Sequence, residues 1–290
     1  MPRYTRTIGL AVTAVVAASS LAACAGKPPT DTGAGDASLP AAIAASKEIR
    51  IGLSPDFPPM EYRDEKSQQL AGVDVELAKA LGASLGLKVT FVEEKFDQLM
   101  NSVSTGRVDI VMSGISDTVQ RQETVDFVDY FKSEGRLYTL SARAGEFTSP
   151  DQVCGKKLAV SKTTDYYQQA LDLDKKECQG AGRPAIQILP TDSGSAARLQ
   201  LEQKRADLAI QGAENLAFFA KTQPGKFDVV LDPLPANPFA VVLKKGDKPM
   251  ADLVTKGLTQ IQQDGTYDKI LKAAGLEYGS MKPVFNGVKE

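Results

Sequence analysis

From residue 47 onward, short apolar runs alternate with longer stretches in which apolar residues recur every three or four positions. The runs at 49–53, 88–93 and 109–114 predict strands, and the stretches at 72–86 and 97–105 predict helices. The rhythm resumes with strands at 157–161, 186–189, 207–211 and 229–231 and helices at 164–176 and 196–204, and helices at 250–263 and 267–274 close the chain. Such alternation implies an α/β architecture with mostly parallel strands flanked by helices. A weak internal repeat points to two similar lobes. Arg107 to Gly114 and Arg205 to Gly212 share the pattern Arg-x-Asp, three apolar residues, one polar residue, Gly. It predicts Gly114 and Gly212 at equivalent strand ends facing each other across a cleft, where glycine lets a ligand approach the backbone.

The first 46 residues follow another logic. Arg3 and Arg6 precede an apolar run at 8–18 that is too short to span a bilayer, which reads as a signal segment. It ends in Leu21-Ala22-Ala23-Cys24, which resembles a bacterial lipobox and predicts cleavage before Cys24 with lipid on its thiol. The alternative is an ordinary secretory signal whose cleavage site contains a cysteine. Residues 24–46, rich in Gly, Pro, Thr and Asp, are expected to form a flexible tether between membrane and domain.

Composition narrows the chemistry. The 290 residues are 42% hydrophobic and 24% charged, which fits one or two globular domains. Histidine is absent, so catalytic arrangements that need it are excluded, as is the commonest metal ligand. Neither GxxxxGK[ST] nor GxGxxG occurs, and no cofactor or metal is expected. Removing residues 1–23 takes away two of the 34 basic residues and none of the 36 acidic ones, leaving −4. A mildly acidic, mixed charge argues against a nucleic-acid surface.

The richest segment is DIVMSGISDTVQRQETVDFVDYF at 109–131. Its apolar strand ends in Ser113-Gly114-Ile115-Ser116, and a polar turn delivers Arg121 at a helix start. Ligands bind at strand ends of α/β sheets, and a guanidinium there can grip a carboxylate through two parallel hydrogen bonds. The alternative is a solvated Arg121 paired with Glu123 or Asp126.

From Lys47 to about Leu276 the chain resembles a type II periplasmic-type binding protein of the polar amino acid group, the receptors of ABC importers. The matching pieces are EIRIGLSPDFPPMEYRD (48–64), GVDVELAKALG (72–82), VEEKFDQLM (92–100), MSGISDTVQR (112–121), VDFVDYF (125–131), CGKKLAVSKTT (154–164), RADLAIQG (205–212) and DGTYDKILKAAG (264–275). The resemblance implies a two-lobe fold with a two-strand hinge at 137–142 and 239–243. The first lobe is then 47–140 completed by 241–290, and the second 141–240. It also implies a monomer that closes around a small-molecule ligand and delivers it to an ABC permease at the extracytoplasmic face of the cell membrane.

The resemblance further makes Arg121 the grip on an amino acid's α-carboxylate, with Ser113, Gly114 and Ser116 completing the carboxylate and amine contacts. Phe57 covers the ligand and Phe96 forms a second wall, although a core role fits Phe96 as well. Thr163 and Thr164, at a helix N-terminus, form a second jaw, with N-capping the plainer reading. One departure stands out. Many members carry an aspartate for the α-ammonium where this chain has Gly212, and Glu214 could substitute only if the turn redirects it. The ligand is therefore expected to be an amino acid, with an N-substituted or amine-free carboxylate as the alternative.

Cys154 and Cys178 remain as a pair in an oxidising compartment and are expected to form a disulfide, with two buried thiols as the alternative. An enzyme is the functional rival, because some dehydratases share this fold, but no paired carboxylates stand out at the strand ends. A sensor domain acting through a partner is the second rival.

Overall fold

The computed structural model describes residues 39–235 and 237–289; the signal segment, Cys24 and its expected lipid lie outside them. A six-stranded sheet runs in the order Ser280–Phe285, Val125–Phe131, Phe239–Lys244, Ile110–Val111, Glu48–Leu53, Lys88–Glu93. A five-stranded sheet runs Gln187–Thr191, Lys157–Ser161, Leu208–Gly212, Gly135–Leu140, Phe227–Val230. A small antiparallel sheet of Asp56–Phe57, Glu61–Arg63 and Leu70–Ala71 sits beside the first.

Each large sheet is mixed rather than mostly parallel. In the first, Ile110–Val111, Glu48–Leu53 and Lys88–Glu93 are parallel, connected through the helices Val73–Ser84 and Leu99–Ser104. In the second, Gln187–Thr191, Lys157–Ser161 and Leu208–Gly212 are parallel, connected through Tyr166–Glu177 and Gly194–Glu202. The remaining strands pair antiparallel with their neighbours. Parallel neighbours need a crossover, and these helices supply it.

The repeat has a structural counterpart. The Asp109 carboxylate accepts the Arg50 N–H at 2.7 Å, and the Asp207 carboxylate accepts the Lys157 N–H at 2.8 Å. Each aspartate thus satisfies the backbone of the neighbouring parallel strand at the same place in its lobe. Apolar clusters cover both faces of each sheet. Ile49, Leu77 and Val254 lie on one side of the first and Val103, Phe127 and Val242 on the other, while Leu158 and Ile210 in the second lobe oppose Ala159 and Leu201.

Two expected boundaries change. The strand Gly135–Leu140 is not a passage between lobes but an interior strand of the second sheet, paired on both edges. Likewise Phe239–Lys244 lies within the first sheet, between Val125–Phe131 and Ile110–Val111. The crossings are the links just before these strands, from Phe131 to Gly135 and from Val230 to Phe239, so the first lobe ends before residue 135 rather than at 140. Of the expected tether at 24–46, residues 24–38 lie outside the described residues, and the described end is not a free linker. Ala41–Ser46 forms a helix whose Ile43 is buried in the core of the first lobe. One apolar side chain that finds a groove overrides a composition that looks disordered.

The disulfide between Cys154 and Cys178 is present, with Cα atoms 5.4 Å apart. It ties the C-terminal end of the helix Tyr166–Glu177 to the turn before the strand Lys157–Ser161. Among the described residues, no helix is long and apolar enough to cross a membrane.

Candidate functional site

Between the two sheets lies a cavity of about 380 Å³ walled by loops at strand ends of both lobes. The first lobe contributes Ser54, Asp56, Phe57, Lys95 to Asp97, Gly114, Ser116, Arg121 and Phe239. The second contributes Ser161 to Tyr166, Asp192 to Gly194 and Gln211.

Arg121 enters from the short helix Val119–Gln122, whose first turn is capped by Thr118: its side-chain oxygen accepts the Arg121 N–H at 3.2 Å. The guanidinium donates to the Ser116 carbonyl at 2.9 Å and, across the cleft, to the Thr163 carbonyl at 3.2 Å. Burial lowers its pKa from the ordinary arginine value, partly offset by the nearby Asp165 carboxylate. A guanidinium has five N–H donors, so two carbonyls leave it able to grip an anion. Pairing with Asp126 does not occur, since that carboxylate takes the Lys245 ammonium at 2.9 Å and the Gly246 N–H at 2.7 Å.

The strand end before Arg121 divides its labour. Gly114 and Ser116 line the cavity, but Ser113 does not. The Ser113 hydroxyl turns into the lobe, where it donates to Glu61 at 2.8 Å and accepts the Ser54 N–H at 2.9 Å, so its expected ligand contact is corrected to a structural one. Gly114 donates its N–H to Asp74 at 2.8 Å. It has φ +53°, and a Cβ there would stand 2.9 Å from the Phe57 ring. That ring packs edge-to-face on Phe239, with centroids 6.0 Å apart. Beneath Gly114, burial pushes the Asp74 carboxyl up to about 6, and burial together with the Asp74 charge raises Glu61 well above its ordinary value. Phe96 has both expected roles, lining the cavity and packing on the core of its lobe.

On the facing lobe, Thr163 and Thr164 line the cavity, but their hydroxyls bond to Ser161, at 2.9 and 3.0 Å. The residue at the helix N-cap is Asp165. Its carboxylate accepts from the Ser116 hydroxyl across the cleft at 3.0 Å, from Gln169 at 3.0 Å and from Asn237 at 2.7 Å. Lys162 and Asp192 form an exposed ion pair at 2.7 Å.

Gly212 is corrected more sharply. It does not line the cavity. It pairs with Gly135 on the neighbouring strand, and Tyr166 packs over the two glycines. A Cβ on Gly212 would lie 1.7 Å from Glu214 Oε1 and 2.8 Å from the Tyr166 hydroxyl oxygen, so the space is taken by the protein itself. Glu214 is fully buried, its carboxyl accepts from the Ser133 hydroxyl at 3.1 Å, and burial pushes it up to about 8. The turn does redirect Glu214 toward the vacated position, but behind the cavity wall.

Sequence reasoning missed Asp165 and Asp56 as cavity residues, although each adjoins a residue it did single out. Burial raises the Asp56 carboxyl, and the Ser54 hydroxyl donates to it at 3.2 Å. Among the described residues, no group of three or more His, Cys, Asp or Glu is placed to hold a metal ion.

Residues 49–275 match the family model described as bacterial extracellular solute-binding proteins, family 3. The chain is 27% identical over 243 residues to the arginine-binding protein ArgT of Corynebacterium glutamicum, covering 84% of this chain and 79% of that one. An ancestral arginine-binding protein bound to arginine superposes with a TM-score of 0.70 at 27% identity, covering 78% of this chain and 97% of that one. An ancestral amino acid-binding protein, a precursor of cyclohexadienyl dehydratase, superposes at 0.71 with 29% identity, covering 80% and 97%.

Proposed function

Because the chain belongs to the bacterial extracellular solute-binding proteins, family 3, we propose that it is a receptor that captures an amino acid between its lobes and delivers it to an ABC permease. The observation that carries this reading is Arg121, a half-buried cation in a cavity built from both lobes and bonded to carbonyls of each. It would take the ligand's α-carboxylate through two parallel hydrogen bonds. The rings of Phe57 and Phe96 would flank the side chain, and Asp56, which lines the cavity and bonds to the Ser54 hydroxyl rather than to a basic group, suits a cationic end. An arginine-like ligand accords with the relatives named for arginine. The lobes would close about the two crossings, and Cys24 would carry the lipid that holds the receptor at the outer face of the membrane.

Titration calorimetry of the mature chain against the standard amino acids tests the reading. Binding of arginine or another cationic amino acid is expected, and no binding by any amino acid would remove it. The kinship with a dehydratase precursor gives a second reading, an eliminating enzyme. Proton NMR of ligand after prolonged incubation separates the two, because a receptor returns it chemically unchanged. Mass spectrometry of membrane-extracted protein is expected to find diacylglycerol on Cys24 and no residues before it.

A further inference from the structure

Arg121 accounts for a carboxylate, but nothing so far receives the ammonium that distinguishes an amino acid from a plain acid. The strand end at Gly212 is closed to it. Glu214 and Tyr166 fill the space above that glycine, and Glu214 is not part of the cavity wall. A carboxyl that burial holds protonated to about pH 8 is also a poor counter-ion at neutral pH. The carboxylates that do reach the cavity are Asp56, Asp97, Asp165 and Asp192.

Three of these stand elsewhere. Asp192 is held by Lys162 in an exposed pair, and Asp56 and Asp97 are themselves exposed. Asp165 is the strongest favourable charge on that guanidinium, and its carboxylate is tied to Ser116 on the lobe that carries Arg121. Cation and anion thus meet at the cleft, one from each lobe, in an arrangement that complements the adjacent carboxylate and ammonium of an amino acid's α-carbon. The carboxylate is also held in place. Gln169 anchors it from its own helix and Asn237 from the second crossing. Those two bonds and the one from Ser116 occupy three of about four lone-pair positions on a carboxylate, leaving room for one more donor.

We propose that Asp165 is the residue of this chain that recognises the ligand's α-ammonium, replacing an acidic side chain at position 212 and making the free amine a requirement for tight binding. The proposal rests on the amino acid reading above. An acceptor facing a buried ammonium discriminates strongly, because a ligand that lacks the amine leaves the carboxylate desolvated without its partner.

The test compares the standard L-amino acid that the wild-type protein binds most tightly with its des-amino analogue, by calorimetry, in the wild type and in D165N, E214Q and R121A. The wild type is expected to prefer the amino acid at least tenfold. D165N should bring that preference close to one while still binding the des-amino acid, E214Q should keep it, and R121A should weaken both ligands together. A preference that survives in D165N, or that is lost in E214Q, overturns the assignment, as does a wild type indifferent to the amine. Should D165N fail to fold, D165S keeps a side-chain oxygen without the charge and supplies the same ratio. Failure of the amino acid reading looks different, with no amino acid bound by the wild type at all.

Discussion

A methyl group on Gly114 has nowhere to go. At φ +53° a side chain is strained, and its first carbon would press on the Phe57 ring at 2.9 Å. Gly114→Ala is therefore expected to displace Phe57 from the cavity wall and weaken ligand binding at least tenfold in calorimetry, while the core behind it stays folded. Arg121 bears on the same cavity through charge. Arg121→Ala should cost about 2–5 kcal/mol of binding, the range for removing one partner of a buried charge pair. Arg121→Lys should be nearly as damaging, because an ammonium lacks the planar fork; near wild-type affinity in either would refute the carboxylate grip. Glu214 has its effect on stability. Its carboxyl titrates near 8 in the folded protein against an ordinary value of 4.5, raised chiefly by burial and also by the charges of Asp165 and Asp74. Between those values the native state holds a proton that the unfolded chain has released, so stability falls as pH rises from 4.5 to 8 and then levels off. The slope from this group is at most about 1.4 kcal/mol per pH unit. Glu214→Gln should flatten the decline in urea titrations across that window, and an unchanged slope would count against it.

At the scale of elements, the disulfide and the loop it closes are the simplest to perturb. Cys154 and Cys178 are 24 residues apart, and a loop of that length contributes about 3 kcal/mol by the chain-entropy estimate. The double substitution to serine should lower stability by about that amount in denaturant titrations, and a loss well under 1 kcal/mol would mean the staple is idle. The pair could be read from its spacing and compartment, and most strands and helices from their periodicity. Less legible was which way a side chain faces where periodicity ends. Arg121, Ser116, Phe57, Thr163 and Thr164 all reach one cavity, yet Ser113, in the bend just past the same strand, turns inward to Glu61, and a bend has no period that would tell the two serines apart. Gly212 follows the same pattern as Gly114 in sequence, but Tyr166 and Glu214 cover it, and both come from segments with no sequence signal for that contact. Asp165 lay hidden because a loop–helix junction has no period. The run at 137–142 suggests a crossing because an apolar run does not say how many neighbours it pairs with, and the strand Gly135–Leu140 has two.

At the scale of the molecule, the two lobes touch through polar groups and an aromatic contact rather than through a shared core. Ser116 bonds to Asp165, Arg121 to the Thr163 carbonyl and Asn215 to the Pro58 carbonyl, and Tyr62 meets Phe218 with ring centroids 5.7 Å apart. The apolar clusters of the two lobes remain separate. Each of these polar bonds, taken alone, is worth only about 1 kcal/mol net, and opening the cleft would return both partners to water. A ligand that bonds to Arg121 on one side and to the Thr163–Asp165 turn on the other adds its own contacts to this set, and so shifts the balance toward closure by its preference for the closed form. Small-angle scattering should then show a smaller radius of gyration with saturating amino acid than without. Asp165→Ala, which removes the Ser116 bond together with the contacts to Gln169 and Asn237 at the second crossing, should blunt that compaction. The same saturating ligand at 100 times its Kd should raise the unfolding free energy by about 2.7 kcal/mol. A stabilisation of that size with no change in radius would mean that the lobes are already held shut by their own bonds, and closure would have to be abandoned as the binding motion.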